Sequence, residues 1–130
     1  MERIRKHSRK RDAILNCVRS TNSHPTAEWV FSQLKKEIPD LSLGTVYRNL
    51  AMFKEEGTVV SLGTVAGLER FDGRVEPHCH LVCTDCHRVV DVDGITLPET
   101  LCDSAVNQVG GTVTGWDLKL MGLCEACVKG

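Results

Sequence analysis

The sequence predicts an α+β fold in two parts, and three observations carry that prediction. Three capped apolar stripes come first, two short β-patterned runs follow, and two C-x-x-C pairs then bracket a strand–helix–strand pattern. The first stripe runs from about Ser8 to Val18, where Ile14, Leu15 and Val18 stand between charged residues. "TNSHPT" interrupts it. Thr26 is placed to cap a second helix running through Lys36, with Val30, Phe31, Leu34 and Ile38 facing inward, and "IPD" ends it. Ser42 caps a third, in which Leu43, Val46, Leu50 and Phe53 recur at helical spacing along one face, and Gly57 suits a left-handed C-cap. "TVVSL" and "LERFD" flank the glycine-bounded "GTVAG", so residues 58–72 are expected to form a β-hairpin. Three short helices and a hairpin make an N-terminal winged helix-turn-helix.

"GRVEP" at 73–77 is the expected hinge linker between a first domain over 1–72 and a second over 78–130. The second domain has a small α/β pattern: strands at 78–82 and 88–92, a helix from about Leu97 to Val109, and a strand at 112–121. In that last strand Thr114, Trp116, Leu118 and Leu120 would share one face. A chain of 130 residues divided this way leaves two units near the lower limit for an independent core, so a metal staple or a partner subunit would help both.

Net charge is −1, but its distribution is uneven. Residues 1–60 carry 11 Lys/Arg against 7 Asp/Glu, whereas residues 61–130 carry 5 against 10. The opening "MERIRKHSRKR" is the most basic stretch, and such asymmetry points to nucleic acid at the N-terminal end. No apolar run is long enough to cross a bilayer, and no apolar segment follows the basic start as in a secretory signal. A cytoplasmic protein is expected, in which seven cysteines are metal ligands or free thiols rather than disulfides.

Cys83-x-x-Cys86 and Cys124-x-x-Cys127 are two thiolate pairs of the kind that together complete a tetrahedral Zn2+ site. A thioredoxin-like redox pair would require a βαβ context with the motif at a helix start, whereas the first pair here is expected to end a strand and the second to sit almost at the C-terminus. Cys17 and Cys102 lie among apolar neighbours as small buried residues. Cys79 points away from His78 and His80 if all three lie on a strand, and those two histidines then share a face as half of a metal site.

"HCHLVCTDC" at 78–86, "TVYRNL" at 45–50, "RFD" at 70–72 and "LKLMGLCEAC" at 118–127 resemble the ferric uptake regulator (Fur) family across almost the whole chain. The resemblance implies a winged helix, a zinc-stapled dimerisation domain, and a regulatory metal between them. Its ligands would be His24, Asp72, His78, His80 and Asp91, a nitrogen and oxygen set suited to Fe2+ or Mn2+. Asp91, where iron sensors generally carry glutamate, resembles the family's peroxide-responsive repressors, as does the sequence Pro77-His78-Cys79-His80 in place of H-H-D-H. Trp116 stands where relatives often have histidine, and His87 where they usually have glycine.

By this resemblance, peroxide acting with bound iron would insert oxygen into His24 or His78, the clamp would open, and DNA would be released without enzymatic turnover. Thr45, Tyr47, Arg48 and Asn49 on the third helix, with Arg9, Lys10 and Arg11 from the basic arm, would contact double-stranded DNA. A homodimer would select an A/T-rich palindromic operator. The alternatives are an iron-responsive repressor, a zinc or manganese sensor of the same family, and, from other classes, a non-haem iron enzyme or a thiol–disulfide oxidoreductase.

Overall fold

The computed structural model describes residues 2–129, with side chains from Arg9 onward; the basic residues Arg3, Arg5 and Lys6 of the N-terminal arm lie outside the described side chains. The chain divides into two compact units, residues 1–75 and 76–130.

The N-terminal unit holds three helices, α1 (Glu2–Arg19), α2 (Ala27–Leu34) and α3 (Leu43–Glu56), followed by the antiparallel hairpin β1 (Val60–Val65) and β2 (Leu68–Asp72). α1 starts well before the expected Ser8, because its first turns carry charge rather than an apolar stripe. Both expected N-caps are made: Thr26 Oγ1 accepts the Trp29 N–H at 3.1 Å, and Ser42 Oγ accepts the Thr45 N–H at 3.1 Å. α2 ends two residues earlier than the stripe suggested, yet Lys35 anchors the exit by donating to the carbonyls of Pro39 and Leu41. Gly57 caps α3 at φ 79°. Ile14 and Val18 from α1, Val30 from α2, and Val46, Leu50 and Phe53 from α3 close the core, all at 1% exposure or less, with Val59 and Phe71 sealing it from the hairpin side.

The hairpin loop is tighter than the glycines implied. Ala66 (φ 53°) and Gly67 (φ 87°) form a two-residue turn with both positions left-handed, which matches the twist of the flanking strands. Gly63 belongs instead to an irregularity within β1, where the register shifts between Ser61 and Thr64.

The C-terminal unit is a three-stranded sheet in the order β4-β3-β5, with α4 (Glu99–Val109) and the short α5 (Glu125–Lys129). The central β3 (Cys79–Cys83) pairs antiparallel with β4 (Val89–Val92) and parallel with β5 (Leu118–Gly122). The strand expected over 112–121 is regular only from Leu118, where β3 supplies a ladder; residues 112–117 alternate in sequence but have no strand opposite them among the described residues. Cys17 and Cys102 are both half-buried rather than buried: Cys17 packs at the edge of the N-terminal core, and Cys102 lies on α4, which contains no buried residue. Leu101 and Val109 are exposed on α4, as is Met121 on β5.

Candidate metal centres and nucleic-acid interface

The parallel register of β3 with β5 brings the two C-x-x-C pairs together. Cys83 ends β3 opposite Gly122, so Cys124 follows two residues beyond the same end of the sheet and Cys127 sits in α5. All four Sγ atoms lie within 4.8 Å of one another, and Cys86 Sγ stands 3.7 Å from Cys124 Sγ. A tetrahedral ion with Zn–S bonds of about 2.3 Å requires S···S edges of about 3.8 Å, so this spacing fits zinc. The Cys86 N–H points at Cys83 Sγ at 3.4 Å. Backbone N–H groups of Cys124, Cys86 and Asp85 hold the Cys83 thiol down, to about 6, while sharing protons with Cys83 and Cys124 pushes Cys127 up. The cluster therefore favours negative charge on some sulfurs and retains a proton on another, an arrangement that a divalent cation resolves.

His87 completes the turn with φ 65°, and its N–H closes onto the Cys83 carbonyl at 3.0 Å. This turn asks for a left-handed residue, which accounts physically for the usual glycine and leaves His87 strained. Cys79 is fully buried and lies outside both donor groups.

Two donor sets rich in His and Asp occur, one in each unit. In the N-terminal unit His24 Nε2 lies 3.4 Å from Asp72 Oδ2, with His24 2% and Asp72 8% exposed. His24 has φ 56° ahead of Pro25, and its carbonyl is held by Arg70 Nε at 2.7 Å. Arg70 Nη2 also reaches the Ser23 carbonyl at 3.5 Å and the Phe71 N–H donates to the Pro25 carbonyl at 2.9 Å, so β2 holds the chain on both sides of the strained residue. Arg70 was present in the "RFD" motif, but sequence reasoning took only its aspartate as functional.

In the C-terminal unit, cross-strand pairing of His80 with Asp91 sets the second donor group. His78 Nε2 and His80 Nε2 converge on Asp91 Oδ1 at 2.9 and 3.2 Å, with the two rings 4.3 Å apart. His78 Nδ1 donates to the Glu76 carbonyl at 2.7 Å, which turns Nε2 toward the carboxylate. With Nδ1 donating to that carbonyl, the Nε2 lone pair is aimed where a metal ion beside Asp91 would sit. Imidazoles and carboxylates fit Fe2+ or Mn2+, whereas the thiolate set fits Zn2+.

The helix-turn-helix presents its own surface. Tyr47 is 44% exposed on α3 and donates its hydroxyl to Glu28 Oε2 on α2. Arg48 turns back to Thr45 Oγ1 at 3.1 Å, and Asn49 Nδ2 donates to the Thr45 carbonyl at 2.8 Å. On α1, Arg9 is exposed, Lys10 pairs with Asp40 at 3.2 Å, and Arg11 pairs with Glu56 at 3.0 Å while lying over the Phe53 ring. Glu28 was not singled out in the sequence, since only the tertiary fold brings it to Tyr47.

Residues 2–118 match the model of the Ferric uptake regulator family. The chain belongs to that family. Among its curated relatives, the "Peroxide operon regulator" of Bacillus subtilis (strain 168) is 34% identical over 125 residues, covering 92% of this chain and 82% of that protein. The "Peroxide-responsive repressor PerR" of Staphylococcus epidermidis is 32% identical over 123 residues, covering 91% and 78%. A solved Campylobacter jejuni peroxide stress regulator superposes with a TM-score of 0.77 at 27% identity, covering 97% of each chain. This Fur-family chain is accordingly a metalloregulator, and the family's proteins are dimeric DNA-binding regulators of transcription. No helix among the described residues is long and apolar enough to cross a membrane.

Proposed function

We propose that this Fur-family chain is a metal-dependent DNA-binding repressor that senses hydrogen peroxide by oxidation of a ligand histidine. The observation that carries the proposal is the convergence of His78 and His80 Nε2 on one oxygen of Asp91, with the opposite nitrogen of His78 already held by Glu76. These three donors and the His24–Asp72 pair are each incomplete alone for a six-coordinate ion, and the regulatory ion would draw its ligands from both sets. The peroxide-related names of its relatives support the choice of signal.

Residues 1–72 act as the winged-helix domain, 73–77 as a hinge and 78–130 as the dimerisation domain. One ion held by both donor sets restricts that hinge to a narrow range of orientations. If this range includes the one in which both winged helices of a homodimer meet a palindrome, metal and DNA binding reinforce each other. The exposed apolar side chains Leu101, Val109 and Met121 provide a surface for the second copy. Thr45, Tyr47, Arg48 and Asn49 face the major groove of an A/T-rich operator, and Arg9, Lys10 and Arg11 lie near its phosphates. Lys10 and Arg11 must then exchange or share their present carboxylate partners.

Fe2+ held by these residues would activate hydrogen peroxide catalytically, with the imidazole ring supplying the two electrons that reduce the O–O bond, whereas Mn2+ would support binding without that reaction. In the net reaction one ring C–H carbon of His24 or His78 gains one oxygen atom from hydrogen peroxide, and water leaves. The oxidised ring is a poorer ligand, the hinge is released, and the protein dissociates from DNA. Each chain signals once and does not turn over, in a cytoplasmic setting. The structural Zn2+ on Cys83, Cys86, Cys124 and Cys127 takes no part.

Anisotropy titration of A/T-rich palindromic duplexes tests this reading. Binding should need Mn2+ or Fe2+ and be abolished by brief peroxide only in the iron-loaded dimer. Peroxide-resistant, iron-dependent binding would instead identify an iron-responsive repressor.

A further inference from the structure

We infer that Glu28 is a positioning residue for operator recognition: by accepting the Tyr47 hydroxyl proton, it leaves the Tyr47 oxygen as an acceptor that reads adenine N6–H in the major groove. The inference rests on the DNA-binding reading above and adds to it a residue and a polarity.

Glu28 suits the helix dipole in the first turn of α2, but its charge is unfavourable beside DNA. It occupies the second position of α2, the first helix of the helix-turn-helix, whose N-terminal end in such motifs approaches the phosphate backbone. A carboxylate there repels DNA unless it serves another purpose. Its partner is Tyr47, on the outward face of α3, the recognition helix, where Val46, Leu50 and Phe53 occupy the buried face. The Tyr47 oxygen lies 2.5 Å from Glu28 Oε2.

A phenol has one proton to donate and lone pairs that can accept. An ionised carboxylate only accepts, so the proton between them belongs to Tyr47 and points at Glu28. The same hydrogen bond, with the nearby negative charge, pushes the Tyr47 phenol above its ordinary range, so the hydroxyl remains protonated. What Tyr47 can present outward is therefore a lone pair. In the major groove the complementary donors are adenine N6 and cytosine N4, while guanine O6, thymine O4 and purine N7 are acceptors that this oxygen cannot satisfy. In an A/T-rich operator the choice falls on adenine N6. Arg48 and Asn49 hydrogen-bond to Thr45 and must leave it to reach a base, whereas Tyr47 presents its lone pair as it stands.

The test uses the full-length Mn2+-loaded protein and a duplex selected by the wild type from an A/T-rich palindromic library. Adenines are replaced one symmetric pair at a time by purine, which lacks the N6 amino group, or by 7-deaza-adenine, which lacks N7. Wild type should lose roughly 5–100-fold affinity with purine at one symmetric pair, the range of two hydrogen bonds, one in each half-site, and little with 7-deaza-adenine there. Glu28→Met, Tyr47→Phe and the double variant should each reduce that purine penalty to less than about two-fold, with thermal midpoints checked to confirm folding. A role for Glu28 as a bare charge would change affinity equally for every duplex and leave the purine penalty intact, which would overturn the inference. Purine insensitivity of the wild type at every adenine would do the same. Failure of the wild type to bind any duplex would instead remove the DNA-binding reading, and with it this inference.

Discussion

Replacing Gly73 with alanine tests how closely the end of β2 is packed against α1. A Cβ at Gly73 would stand 2.8 Å from Arg19 Cγ, 3.0 Å from Arg19 Cα and 3.3 Å from Arg19 N. The Arg19 side chain can swing away, but its main-chain atoms belong to the last turn of α1, anchored by Ile14 at 0% and Val18 at 1% exposure. The strand end must therefore retreat by several tenths of an ångström. Overpacking of this kind costs about 1–3 kcal/mol. For a unit of this size each kcal/mol lowers the thermal midpoint by roughly 4–8 °C. The turn is further constrained because Asp72 Oδ1 accepts the Arg74 N–H at 2.9 Å, so displacement at Gly73 also moves a proposed metal ligand. Gly73→Ala should lower the far-UV circular dichroism midpoint of the metal-free chain and weaken Mn2+ binding. A midpoint within about 1 °C of wild type would refute the close approach on which this rests.

Three other perturbations have definite expected outcomes. His87→Gly relieves the left-handed strain at φ 65° and should raise stability by about 0.5–1 kcal/mol, net of the glycine's added freedom in the unfolded chain; a lower urea midpoint would contradict that. Cys124→Ser should abolish the one tightly held zinc per chain, measured by a colorimetric release assay, and melt the C-terminal sheet, while the α1–α3 helical signal persists. Glu69 is held below the ordinary carboxylate range by the Ser61 hydroxyl and then by Lys54. Because its folded value is lowered, the stabilisation is present above the unfolded value of about 4.3 and is lost as pH falls through the folded one. The wild-type advantage over Glu69→Gln in urea melts should therefore be full at neutral pH and vanish in acid; an advantage that grows in acid would reverse the sign.

The parts of the fold legible in sequence are those set by local chemistry. Thr26, Ser42 and Gly57 cap helices through their own side chain or backbone freedom, so they could be recognised without knowing the tertiary structure. Residues 112–117 show the opposite case. Thr114 and Trp116 alternate, but alternation marks a face and not a ladder, and β3 meets the chain only from Leu118. Gly63 and Gly67 look alike in sequence, yet one lies in a strand irregularity and the other in the turn. α5 is too short to show periodicity. The zinc cysteines were legible because their spacing is itself the signal. Asp91 was reached by family resemblance, and its physical reason, the cross-strand partner His80, depends on register. Arg70 at the His24 carbonyl and Glu28 at Tyr47 depend on long-range packing, which no local pattern encodes.

The central claim is that two metals have two roles, with peroxide acting at the histidines and not at the thiolates. Peptide mass mapping after a brief, low dose of hydrogen peroxide on Fe2+-loaded and Mn2+-loaded protein tests it most directly. One added oxygen should appear on the His24 or His78 peptide, only with iron, while Cys83, Cys86, Cys124 and Cys127 keep their zinc. Unmodified histidines with oxidised cysteines and released zinc would contradict it.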